Sequence, residues 1–177
     1  MTNTTPSPAN EAQKLGKGMI IATWLIVLGL LTAFFSNWLD AKRNPNQQVA
    51  SLINTDGTAE VTLIRNSSGH YVATGYINER AVEMIVDTGA TAVTVPLGLA
   101  NLLGLRKGPE MQAETANGTI TTYATLIDKI QIGDIVLHDI GASINPYSDQ
   151  VLLGMTVLKK LEFTQRGNTL TLRQYPQ

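Results

Sequence analysis

Cysteine is absent from the 177 residues, which excludes a disulfide framework, a thiolate metal site and a cysteine nucleophile. Histidine is scarce: His70 and His138 are the only 2, too few for a histidine-built metal centre. Neither sign of charge dominates. Lys and Arg number 13, Asp and Glu 14, for a formal net charge of -1, so the basic field of a general nucleic-acid binder is missing. Charged residues are only 15% of the chain against 44% hydrophobic, which excludes a disordered polyelectrolyte. No phosphate-binding glycine loop, zinc-ligand spacing or Ser/His/Asp order is present.

What is there begins with an uncharged apolar run from Met19 to Phe35, extended to Leu39 with only Ser36 and Asn37 as polar residues. About 20 residues at ~1.5 Å rise per residue cross the ~30 Å hydrocarbon layer. Trp24, Phe35 and Trp38 supply aromatics for the interfaces. A cleaved signal peptide needs a shorter core and a small-residue cleavage site, which the stretch Phe34 to Trp38 does not offer. A buried core helix normally carries a polar face. The expectation is therefore an uncleaved single-span anchor over residues 19–39, preceded by a short polar tail, 1–18. The flanking cations, Lys14 and Lys17 against Lys42 and Arg43, nearly balance. A short tail left in the cytoplasm then puts the C-terminal bulk outside the inner membrane, in a periplasm.

Residues 40–59 are polar and turn-rich and read as a linker. A domain of normal size for a single core follows over residues 60–177. Its pattern is mostly β: many short strands separated by turn residues, with short helices expected over Leu97 to Leu105 and Met155 to Leu161. Turn signals stand at Asn66 to Gly69, Asn78 to Arg80, Gly133-Asp134 and Arg166 to Asn168, and Asn117-Gly118 is a strong hairpin signal. Such regular short strands predict a small closed β-barrel.

Three elements carry the functional reading. The apolar strand Met84-Ile85-Val86 runs directly into Asp87-Thr88-Gly89-Ala90. The hairpin tip Thr115-Ala116-Asn117-Gly118 follows. Leu152-Leu153-Gly154-Met155 then opens a helix. Each alone reads as an ordinary turn, hairpin or buried strand. Together, and in this order, they resemble the retropepsin-like aspartic proteases of clan AA, and more closely the bacterial, membrane-anchored, single-domain branch of that clan. The resemblance covers roughly Gly69 to Leu172.

The resemblance implies a retropepsin-like acid-protease half: a small closed β-barrel with one or two short helices, preceded here by one transmembrane helix. It implies an aspartic endopeptidase in which Asp87 is catalytic and Thr88 and Gly89 support it. With one such motif per chain, the active unit is expected to be a homodimer with an Asp87 from each subunit at the axis. Ala90, Thr115, Ala116, Asn117 and Gly118 are implied as substrate-binding, the last four as a flap over a peptide bound in extended form. The hairpin has the single glycine Gly118, where retroviral flaps are glycine-dense. Leu152, Leu153 and Gly154 are implied as support behind the catalytic loop. No metal, cofactor or nucleic-acid partner is expected. Asp128, Asp134, Asp139, Asp149 and His138 read as solvated or satisfied groups. The alternative is a non-catalytic, membrane-anchored peptide-binding or assembly module on the same fold. The retained carboxylate argues against it, because a pure binder has no need of one.

Overall fold

The computed structural model describes residues 8–115 and 118–176, with side chains from residue 18 onward. The chain divides into two compact units, Met1–Asp40 and Ala41–Gln177.

The first unit is helical. Helix α1 runs Pro8–Arg43, 36 residues in one piece. Within it Gly18–Arg43 is long and apolar enough to cross a membrane, and none of its most apolar stretch is buried. Trp24, Leu28, Leu30 and Phe34 are all more than 60% exposed. A helix showing that much apolar surface to water is unstable unless something apolar covers it. The helix starts earlier and ends later than the expected 19–39 span. Residues 8–18, expected as tail, are helical, because Ala, Glu, Gln and Lys between Pro8 and Gly18 are good helix formers behind a proline suited to a first turn.

The second unit is built from strands β1 (Ala50–Ile53), β2 (Ala59–Ile64), β3 (Val72–Ile77), β4 (Arg80–Val86), β5 (Val93–Pro96), β6 (Glu110–Thr115), β7 (Gly118–Ile132), β8 (Ile135–Asn145), β9 (Val151–Leu153), β10 (Glu162–Arg166) and β11 (Thr169–Gln174). Two short helices, α2 (Leu97–Leu102) and α3 (Met155–Leu158), complete it. The strands form a 7-stranded sheet in the order β3-β4-β9-β5-β8-β7-β6, and β3 also pairs with β7. That extra pairing closes β3, β4, β9, β5, β8 and β7 into a ring, the closed barrel read from the strand pattern, and leaves the β6–β7 hairpin projecting from it. A 4-stranded sheet, β1-β2-β11-β10, packs beside it. Leu63 and Leu172 from the small sheet share one buried cluster with Ile77, Ile127, Ile140 and Leu153 from the barrel.

Close approach explains the glycine in β3. A Cβ on Gly75, where β3 crosses β7, would stand 2.4 Å from the carbonyl oxygen of Gln131. Between β3 and β4 the turn residues Asn78 and Glu79 both have positive φ, 46° and 65°, as a two-residue hairpin with right-handed strand twist requires. Lys129 secures this turn: its N–H donates to Asn78 Oδ1 at 3.2 Å and its ammonium meets Glu79 at 2.9 Å.

The expected linker over 40–59 is not one. Asn44 and Asn46 are 2% and 3% exposed, and β1 is a full member of the small sheet, pairing Ala50 with Thr62 through Ile53 with Ala59. Asn46 lies in a parallel bridge with Ala73. Its amide donates to the carbonyls of Ile64 and Val72 at 2.9 and 2.6 Å, and its Oδ1 accepts from the Ile64 N–H at 2.7 Å. Polar residues in a turn-rich stretch look solvated in sequence; here their partners are strand backbones 18 to 26 residues away.

Candidate active site

Asp87 follows β4 at the point where the chain leaves the barrel. The apolar run Met84 to Val86 alternates inward and outward, with Met84 only 1% exposed, so the strand is held and the next residue is delivered to the rim. Asp87 is half-buried, and Thr88 and Gly89 are exposed.

The loop is fixed chiefly by backbone bonds. The Asp87 N–H donates to the carbonyl of Leu153 at 3.1 Å, and the Val86 N–H to Tyr71 at 2.9 Å. The Ala90 N–H closes the turn on the Asp87 carbonyl at 3.3 Å. One side-chain bond matters most: Asp87 Oδ1 accepts the Gly89 N–H at 2.9 Å. One carboxylate oxygen is thus oriented by the loop's own backbone. A Cβ on Gly89 would lie 3.2 Å from that oxygen, so the glycine keeps the space beside the carboxylate open.

Behind the loop stands β9, parallel to β4 with Ile85 beside Leu152 and Val86 beside Leu153, and bridged to β5 through Thr94 and Leu152. Leu153 is fully buried. At Gly154 the β9 chain passes so close to the loop that a Cβ would sit 2.6 Å from the Ala90 oxygen and 2.3 Å from that of Ala92. The Met155 N–H donates to the Ala90 carbonyl at 2.8 Å, and Thr156 Oγ1 accepts the Val93 N–H at 3.0 Å. The structure therefore brings Asp87, Gly89 and Ala90 together with Leu152, Leu153 and Gly154 into one interlocked unit. Ala90 contributes its carbonyl to this support. Thr156 and Ala92 escaped the sequence reading, because one acts through a hydroxyl bond and the other by backbone proximity, and neither leaves a residue-type signature.

The hairpin β6–β7 pairs Glu110 with Tyr123 through Thr115 with Gly118. Thr115 Oγ1 donates to the Gly118 carbonyl at 2.7 Å across the tip, and Gly118 takes a positive φ of 109°. Ala116 and Asn117 lie outside the described residues. At the hairpin's root the Lys107 ammonium sits 3.4 Å above the Tyr123 ring, and Gly108 approaches Ala124 so closely that a Cβ would stand 2.7 Å from its oxygen.

Among the described residues no three His, Asp or Glu side chains are grouped to hold a metal ion. Asp134 instead accepts from Ser51 Oγ at 2.6 Å. What the site offers is one oriented, half-buried carboxylate in the turn that follows β4. One carboxylate can accept a proton from water; it cannot at the same moment donate one to a carbonyl.

Comparison with known proteins agrees with this architecture. Residues 73–160 match the family described as "gag-polyprotein putative aspartyl protease". A Sinorhizobium sp. protein, described as the uncharacterized protein in the cobV 5' region, is 32% identical over 176 aligned positions, spanning 90% of this chain and 75% of that protein. The crystal structure of a retropepsin-like aspartic protease from Rickettsia conorii superposes with a TM-score of 0.56 at 20% identity, covering 72% of this chain and 94% of that one.

Proposed function

This chain belongs to the retropepsin-like family of aspartic proteases, and from that membership we propose that it is a membrane-anchored aspartic endopeptidase acting as a homodimer. The observation that carries the reading is the Asp87 loop: an Asp-Thr-Gly turn with Asp87 half-buried, its carboxylate oriented by the Gly89 N–H and its backbone hung on Leu153. The catalytic unit pairs Asp87 with Asp87 of the partner subunit, and the two share one proton. The ionised carboxylate takes a proton from water as its oxygen attacks the scissile carbonyl. The protonated one donates to the carbonyl oxygen and stabilises the tetrahedral intermediate. That intermediate collapses as the amide nitrogen gains a proton and leaves, so one water is consumed for each bond cut. Thr88 and Gly89 hold the two loops close, and residues 115–118 close over a peptide lying extended along the site.

Helix α1 serves as the membrane anchor, with the catalytic domain on the periplasmic side of the inner membrane. The test uses the full chain in detergent with an unfolded protein substrate such as casein, at pH 4 to 7. Cleavage is expected, with rate falling on both sides of an acidic optimum, because only the singly protonated pair works. Asp87→Asn should abolish cleavage and leave thermal unfolding within about 1 kcal/mol of wild type. Peptide binding without cleavage, equal in wild type and Asp87→Asn, would establish the non-catalytic alternative instead.

A further inference from the structure

The β6–β7 hairpin leaves the barrel at one residue. Along β7, Tyr123 to Ile132 pair with β8, while Gly118 to Tyr123 pair with β6. Tyr123 stands in both ladders, opposite Ile144 on one side and Glu110 on the other. It is the last rung that the hairpin shares with the barrel, and its half-buried ring packs against the core. One residue further out, Thr122 is 2% exposed and its hydroxyl donates to the Met111 carbonyl at 3.4 Å. Beyond that rung Gln112, Glu114 and Thr119 are exposed, and the ladder is the hairpin's own.

The arm that leads into β6 is fastened at the same level. Residues 106–109 belong to no strand, yet they are laid along β7. The Gly108 N–H donates to the Ala124 carbonyl at 2.8 Å, and the Ala124 N–H donates to the Pro109 carbonyl at 2.9 Å. Thr125 Oγ1 donates to the Arg106 carbonyl at 2.8 Å. Lys107 lies between these points and carries its ammonium over the Tyr123 ring. Lys107 is exposed, so water competes for that ammonium, and the negative face of the ring is what holds it in place. One charge thus joins the incoming arm of the hairpin to the residue at which the outgoing arm enters the barrel.

We propose that Lys107 is a positioning residue for the hairpin: stacked on Tyr123, its cation locks the root, so that opening and closing bend the ladder beyond Met111 and Thr122 and do not swing the hairpin from its base. This rests on the reading of residues 115–118 as closing over a bound peptide, and adds what fixes the base on which they move. A root that swings spreads the tip over many open positions, and substrate must then gather them into the closed one. Loss of the lock weakens apparent binding and leaves the chemistry of the closed complex as it was. The signature is a raised KM at nearly constant kcat.

The test is casein cleavage by the full chain in detergent over a range of casein concentrations, with protection of the Gly108 and Ala124 amides against hydrogen exchange followed alongside. Lys107→Met keeps the stem and removes the charge. Its KM is expected to rise about two- to five-fold, the size of one exposed cation–π contact, with kcat held and both amides less protected. Lys107→Arg keeps a cation and Tyr123→Phe keeps the ring face, so both should behave as wild type. In a Tyr123→Leu background, which has no ring to stack on, Lys107→Met should have no further effect. Wild-type KM and protection in Lys107→Met overturn the lock, and so does a Lys107→Arg as impaired as Lys107→Met; in either case cleavage by the wild type leaves the endopeptidase reading standing. A wild type that cuts nothing overturns the endopeptidase reading, and amide protection then decides the lock by itself: lower in Lys107→Met, it stands; equal to wild type, it falls.

Discussion

Glu162 is held by two neighbours, and their chemistry fixes how the small sheet responds to acid. The Tyr175 hydroxyl, first, and the Arg173 guanidinium, second, hold its carboxyl below the ordinary value of 4.5. A depressed carboxyl contributes stability that is fully present above its unfolded-state value and is lost as pH falls through the folded-state value. Wild-type unfolding midpoints should therefore decline as pH drops below about 4.5. Glu162→Gln should show a shallower decline across the same window, and thermal melts from pH 3 to 7 would read the difference. Parallel curves would show that the side chain gains nothing from Tyr175 and Arg173. At this scale the Asp87 loop was legible. An Asp-Thr-Gly turn after an apolar strand and a Leu-Leu-Gly before a helix are type-specific, because a carboxylate and two Cβ-free positions can be met by few residues. Thr156 was not legible, since many side chains could occupy a position whose only role is to accept the Val93 N–H.

Among the elements, the segment that follows α1 behaves least like its sequence. Residues 44–53 read as linker, yet Asn46 clasps the end of β2 and the start of β3 through three hydrogen bonds, and Asn44 donates to Thr74 at 3.0 Å and to Glu83 at 3.3 Å. Asn46→Ala would leave the Ile64 N–H and two strand carbonyls without partners in a buried place. A loss of about 1–3 kcal/mol is expected, seen as a fall of roughly 5 °C or more in the melting midpoint. Gln47→Ala, at an exposed neighbour, should change nothing, and an equal effect of the two would remove Asn46 from this role. Most strands and hairpins were readable, because alternation and turn residues are local signals. The joining of β7 across Lys129 into one 15-residue strand was not, nor was the pairing of β9 between β4 and β5. Both depend on partners far away in the chain.

For the molecule as a whole, the proposed anchoring and its sidedness are open to a direct labelling test. The cysteine-free background allows single reporters. Ser67→Cys, in the exposed turn after β2, should react with a membrane-impermeant maleimide in intact cells, whereas Ser7→Cys in the N-terminal tail should react only after lysis. The opposite pattern would place the domain in the cytoplasm. From the sequence alone came the presence of an apolar span, a mostly β closed barrel and the Asp87 motif, because hydropathy, period-two alternation and turn chemistry are written in neighbouring residues. The tertiary structure alone decided that Ala41 onward belongs to the folded unit, that Gly154 is wedged against the Ala90 and Ala92 carbonyls, and that β10 is left as an open edge. These are facts of strand order and close approach, set by contacts between residues tens of positions apart, which no local pattern encodes.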